Sequence, residues 1–406
     1  MPSLVPVTTN RIGSHLPLLQ LLPEDSQYSW VRGGDGLVGW GEYASIRVRG
    51  KDRFEQVRTW WHQQLETFSI STAVNGSGTG PVLFTSFSFD RNEESVAVIP
   101  RVIVGKKGEN SWITWIGEGA QPVLSDLIPT YREQKFEWGQ GTLTEHQWET
   151  RVAQAIAKID KTEIDKVVLA RDLIATTDHA IDVRPVLTKL AENYPATWVF
   201  SVDGLIGATP ELLLRLSRGM VTSRVLAGTI PRTGDDARDL ALAGSLARSS
   251  KDLEEHEYAV RSVADALEPF CSSTNVPEAP FVLHLANVMH LATDVTGALL
   301  ESKHHVDAFS LLKSLHPSAA VCGTPRNIAF DVIDEIEGMN RGRYAGPVGW
   351  IDARGDGELG IALRSGQVTG HEIQIFAGCG IVAGSDPVVE LAESNAKFSA
   401  MRSALS

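Results

Sequence analysis

The hydrophobic pattern of these 406 residues predicts an α+β fold built on antiparallel sheets. Two observations carry that expectation. β-Branched and aromatic runs arrive in hairpin-like groups, and helical periods arrive in separate runs. The strict strand–helix alternation of a doubly wound sheet is missing, and no repeat of solenoid length is visible.

The elements follow in order. Ser29–Val31, Leu37–Tyr43, Val82–Phe89, Ser95–Val104 and Ser111–Ile116 read as strands. Phe54, Val57, Trp60 and Trp61 are spaced for a helix from about Arg53 to Thr67. Gly36, Gly39 and Gly41 lack the spacing of a nucleotide loop and read as turn and bulge within a strand. The polar stretch Tyr131–Thr142 is the candidate boundary. Thr144 and Gln147 form a capping box ahead of a helix whose inner face is Trp148, Val152, Ala155, Ile156 and Ile159. Strands are expected at Lys166–Arg171, Thr197–Val202, Leu212–Ser217 and Val221–Ala227, then helices at Asp235–Ser249 and Lys251–Pro269. Strands Gly346–Ala353, Leu359–Ser365 and Glu372–Ala377 lead to a last helix, started by Ser385-Asp386 with Pro387 in its first turn.

Composition narrows the function. A net charge of −13 argues against a nucleic-acid binder, and an anionic substrate would need a local positive site or a metal. Three scattered cysteines fit free thiols in a reducing compartment, hence a cytoplasmic protein. The apolar patch Leu16–Leu22 is broken and lacks a basic leader, so neither a signal peptide nor a membrane span is expected. No obvious amphipathic surface helix asks for a partner, and a monomer is expected.

Several polar residues sit where chemistry is possible. Lys166 opens an otherwise apolar strand; it either reaches water or is held desolvated as a base. Glu211, after a proline turn and before Leu212-Leu213-Leu214, is either a plain strand start or a carboxylic acid of raised pKa. Glu390, Glu393 and Lys397 share one helical face, which alone reads as a solvated ion-pair stripe. Asp252 and Glu255 lie on the polar face of another helix. Carboxylates from two helices converging on one point would make a hard-oxygen site of the kind Mg²⁺ takes. Gly378, Gly380 and Gly384 allow close approach to a ligand. Gly228-Thr229, His290, Tyr344 and Arg364 occupy unusually tight or apolar settings, where each alone is more often structural.

Together these strings are not independent. KVVLAR, GATPELLLR, LAGT, KDxxEH, HLA, HPSAAVCGTP, YAGPVGW, ALRS and GCGIVAGSDPxxExxExxxK occur in the order shown by chorismate-utilising enzymes. The chain resembles that family from about Thr144 to the C-terminus, and most resembles its isochorismate-forming branch. The resemblance implies two large antiparallel sheets faced by helices, with a magnesium-dependent site between them. Residues 1–135 would be a strand-rich part of the same fold, and 136–406 the chorismate-binding catalytic region. It implies Lys166 as the base activating water, and Glu211 as the acid protonating the departing hydroxyl. Glu255 and Glu393 would hold the metal, supported by Asp252 and Glu390. Tyr344, Arg364 and Lys397 would contact substrate carboxylate, and Gly228, Thr229, His290 and Gly380 would form pocket wall. Ammonia-using relatives usually lack a lysine at the Lys166 position. Water is therefore the implied nucleophile, and no glutamine amidotransferase subunit is expected. Salicylate formation, which uses the same residues and then eliminates pyruvate, is the alternative. Cys322 stands where the family often has glycine.

Overall fold

The computed structural model describes residues 3–13, 17–124, 128–159, 161, 163–286, 288–300 and 306–406. Two strands organise it. Asp35–Val48 and Ser95–Lys107 pair along their lengths, with a register shift between Glu42 and Ala44. Gly41, at φ +65°, lies beside that bulge. On one side of it the strands Gln27–Arg32, Trp198–Val202, Leu205–Thr209, Ser365–Thr369, Glu372–Ile381 and Lys166–Thr176 follow as neighbours. On the other side come Val82–Ser86, Pro347–Asp352, Gly357–Ile361, Leu212–Ser217, Met220–Pro231 and Val288–Leu299. All of these pairings are antiparallel. Val5–Ile12 runs parallel to Phe68–Thr72 at the margin. Two large antiparallel sheets are thus joined by strands that bend from one to the other.

The inner faces of the two sheets share one core. Trp30, Phe200 and Leu205 from the first are buried with Phe84, Leu212 and Val348 from the second. Each such side chain contributes roughly 1.5–3 kcal/mol by leaving water. Helices cover the outer faces. Ser250–Leu267 packs through Ala259, Val260, Val263 and Leu267. The C-terminal helix Pro387–Leu405 buries Phe398, Met401, Ala404 and Leu405 in a core shared with Ile375 and Ala377. Both ends of the capping box are made: Thr144 N donates to Gln147 Oε1 at 2.9 Å, and Gln147 N to Thr144 Oγ1 at 3.2 Å. The helix it starts, Glu145–Ile159, buries Trp148, Val152, Ala155 and Ile159.

Some elements escape the sequence pattern. Tyr131–Thr142 holds a short strand, Glu137–Gln140, paired with Lys166–Thr176. Its exposed edge position explains its polar composition. The helices Val183–Asn193, Ala308–Leu315 and Arg326–Ile336 and the long strand Val288–Leu299 also lie outside the expected elements. The last is buried at every position from Val288 to Thr293, polar His290 and Thr293 included, so hydropathy alone does not mark it. Among the described residues no helix is long and apolar enough to cross a membrane.

Candidate active site

The register between Lys166–Thr176 and Glu372–Ile381 sets the geometry. Val168 lies opposite Gly380. The Lys166 side chain passes over the bare α-carbon of Gly380. A Cβ there would sit 2.7 Å from Lys166 Cε and 2.9 Å from Glu255 Oε1. The ammonium donates to Glu255 Oε1 at 2.7 Å. Lys166 is 3% exposed, so the reading in which its head reaches water is excluded.

Glu211 is buried where its strand begins, its N–H donating to Thr209 Oγ1 at 3.2 Å. Burial pushes its carboxyl up to about 8, against the pull of Lys166, Arg364 and Lys397. Near neutral pH the side chain therefore keeps its proton and is a donor rather than an acceptor.

The next wall is a bulge. Strands Met220–Pro231 and Val288–Leu299 slip register between Ala227 and Thr229. Gly228 absorbs the slip at φ +77°, and a Cβ there would lie 3.1 Å from Asp252 Cβ. Beyond it Thr229 faces His290. Nδ1 of His290 lies 3.0 Å from Thr229 Oγ1 and 3.3 Å from the Gly228 carbonyl, and Nε2 lies 3.3 Å from Arg364 Nη2. Burial, reinforced by Arg364 and Lys397, holds the imidazole well below its ordinary range. The neutral tautomer that satisfies this network donates from Nδ1 and accepts from Arg364 at Nε2. His290 is thus both a hydrogen-bonded interior residue and a wall residue that aims Arg364.

Arg364 has φ +48° and Ala345 φ +61°, two non-glycine residues in the left-handed region. Both line the cavity, and strain of this kind gathers at sites that need a fixed geometry. Tyr344 stacks on Phe376 at 5.0 Å and 13°, and burial raises its phenol to about 12. It therefore stays a neutral hydroxyl.

The last wall is the C-terminal helix. Asp386 caps it, accepting from the N–H groups of Val388 and Val389. Lys397 donates to Glu393 Oε1 at 2.5 Å and to the Gly378 carbonyl at 2.8 Å. Burial opposes that charge, but Glu393 outweighs it and the ammonium is held above its ordinary value. The ion-pair stripe expected of a surface is real, yet it faces inward.

All thirteen residues singled out above line one cavity of about 250 Å³. Sequence reasoning missed Arg341, which also lines it. Arg341 is 4% exposed and pairs with the equally buried Glu337 through Nε and Nη2, at 2.7 and 2.6 Å. It also donates to the carbonyls of Val321 and Val168, tying the Ala320–Val321 wall to the Lys166 strand. In sequence Glu337 and Arg341 look like any surface i,i+4 pair. Cys322 does not line the cavity. It is fully buried beneath it, its thiol pushed up to about 12 by burial.

Four carboxylates, Asp252, Glu255, Glu390 and Glu393, come from two helices to this cavity. Ligand atoms of Glu390, Glu393 and Cys379 lie within 4.8 Å of one another. Cys379 is a poor ligand, since its Sγ donates to the Glu390 carbonyl at 3.4 Å and burial keeps the thiol protonated. What remains of that cluster is the Glu390 and Glu393 oxygens; Asp252 and Glu255 line the same cavity but lie outside it. Carboxylate donors of this kind fit magnesium and not a thiophilic metal.

Relatives share this arrangement's sequence over most of its length. An isochorismate synthase, MenF, of Bacillus subtilis is 34% identical over 403 residues, covering 91% of this chain and 85% of its own. The isochorismate synthase EntC of Escherichia coli K12 is 36% identical over 326 residues, 79% of this chain and 80% of its own. The crystal structure of a putative 2,3-dihydroxybenzoate-specific isochorismate synthase, DhbC, from Bacillus anthracis superposes with a TM-score of 0.79. It is 32% identical and covers 96% of this chain and 98% of that one. The family profile described as chorismate binding enzyme matches residues 24–406, a span that holds every cavity residue above, and the chain belongs to that family.

Proposed function

We propose that this protein is an isochorismate synthase, adding water at ring C2 of chorismate while the C4 hydroxyl departs. The observation that carries the reading is the pairing of opposite roles in one cavity. A protonated, buried glutamic acid and a buried lysine line the same small space, among further cationic and carboxylate side chains. Lys166 acts as the neutral amine, released from its ion pair with Glu255, and takes the proton from the attacking water. Glu211 gives its proton to the leaving hydroxyl, so atoms balance and the product is an isomer. Arg364, aimed by His290, and Lys397 bind substrate carboxylate, with Tyr344 as a neutral donor. Each positioned acid or base is worth typically ~10²–10⁴-fold in rate.

Asp252, Glu255, Glu390 and Glu393 are the residues that would hold magnesium. Bound there, it would neutralise a second substrate carboxylate and compete with Lys166 for the charge of Glu255. Water as nucleophile needs no amidotransferase subunit, and the reading is of a monomeric, cytoplasmic enzyme feeding menaquinone or catecholate siderophores. The test is incubation of purified protein with chorismate and Mg²⁺, with the product identified by chromatography and NMR. Isochorismate alone supports the assignment. Salicylate together with pyruvate, without an added lyase, would convert it to a salicylate synthase.

A further inference from the structure

A second cavity, of about 460 Å³, shares no lining residue with the active cavity, whose wall includes Ala320 and Val321. His316 and Pro317 face it from the same segment. Its charge is unusual for so acidic a chain. Lys51, Arg53, Arg91, Lys313 and Arg326 line it, against the single carboxylate of Asp331.

Arg53 is the informative member. It is 5% exposed, has no carboxylate within ion-pair distance among the described residues, and its Nε has no hydrogen-bond partner. Among the described residues the guanidinium makes one hydrogen bond, a long one from Nη2 to the Ser88 carbonyl at 3.4 Å. Its guanidinium lies 4.6 Å from the Phe54 ring. Burial pulls it down to about 10, and the nearby Asp90 only partly offsets that. A buried guanidinium left in this state is costly unless something else meets it. The His316 ring beside it is also buried, and neither nitrogen makes a well-formed hydrogen bond.

The floor is aromatic. Phe89 stacks on Phe330 at 5.6 Å and 12°, and His316 meets Phe89 edge-on at 6.0 Å. The volume suits a small molecule and not a polymer groove. Arginine forks match phosphate geometry, and exposed lysines add charge at the rim.

We infer that this cavity is a binding site for a small, multiply charged anion of the phosphate class, held by Arg53 and the rim cations. The site is separate from the catalytic one, and its existence does not depend on the reaction assigned above. Pyrophosphate is the probe, titrated calorimetrically into the full chain in EDTA at constant ionic strength. Saturable one-to-one binding is expected. Lys313→Glu and Arg326→Glu, both exposed changes, should each weaken it about tenfold or more, as loss of a charged contact does. Arg53→Gln should do the same with an unchanged far-UV circular dichroism spectrum. If that variant does not fold, the two rim variants decide. Arg364→Gln, which strips an anion contact from the active cavity, should leave the binding intact. Absence of saturable binding overturns the proposal, as does binding lost in Arg364→Gln but retained in Lys313→Glu.

Discussion

Two lysine–glutamate pairs line the active cavity, and they are built in opposite ways. Lys397 and Glu393 are one turn apart on a single helix. Lys166 and Glu255 are 89 positions apart, on a strand and a helix that meet only in the folded chain. The helical pair is half satisfied by its own backbone neighbourhood and by the Gly378 carbonyl. The long-range pair depends on a gap in the intervening strand, the missing Cβ of Gly380. A local pair can hold a charge in place to receive a ligand. A pair assembled across the fold brings an amine and a carboxylate from distant segments to one point, where either can be drawn away from the other.

That contrast can be broken experimentally. The largest effect is expected from Lys166→Ala. Turnover should fall by roughly 10²–10⁴-fold while substrate affinity changes little, because no contact to a substrate carboxylate is removed. Steady-state kcat beside equilibrium binding checks this, and full activity would remove Lys166 from the base role. Gly380→Ala should follow, at about 10²-fold in kcat. The new methyl displaces the amine by the order of an ångström without touching the helical pair. An unchanged kcat would mean that the amine's position is not critical.

Glu393→Gln tests the other pair. Apparent magnesium affinity, read by calorimetry, should weaken roughly 10-fold or more, as loss of a ligand or its support does. Glu42→Gln, remote from the cavity, serves as control; equal titrations would count against the carboxylate wall as a metal site.

The smallest effect concerns Glu211 and stability. Its folded pKa is raised to about 8, far above an unfolded carboxyl. The folded state therefore binds the extra proton between the two values, and the protein loses stability as pH rises through that window. Glu211→Gln should raise Tm by a few degrees at pH 8 relative to the wild type, and by less at pH 5. The same variant should lose roughly 10²–10⁴-fold in kcat, since an amide cannot protonate the leaving hydroxyl, and its residual activity should lack the high-pH decline. Equal Tm changes at both pH values would show that Glu211 is not held protonated.

Much of the fold could be read locally. The Thr144–Gln147 capping box, the Asp386-Pro387 start and the Arg53–Glu66 helix obey rules that need only a few neighbouring residues. Arg326–Ile336 carries the same kind of local signal, with Ala329, Val332, Ile333 and Ile336 at helical spacing. Val288–Leu299 does not, because polar His290 and Thr293 are buried in it beside apolar residues. Among site residues, Glu211 and Lys166 stood out as charges at the mouths of apolar strands. Arg341 did not, because a buried arginine pair has the same spacing as an exposed one.

By itself the chain determined many of the helices and strands, where several begin, and which charges share a helical face, because those depend on turns of a few residues. It also carried the ordered strings by which it resembles its family. Only the tertiary structure decided that the Glu393–Lys397 stripe faces inward, that Lys166 meets Glu255, and that Glu211 keeps its proton. Orientation, long-range encounter and proton affinity are all set by burial, and burial belongs to the packed molecule and not to any stretch of it.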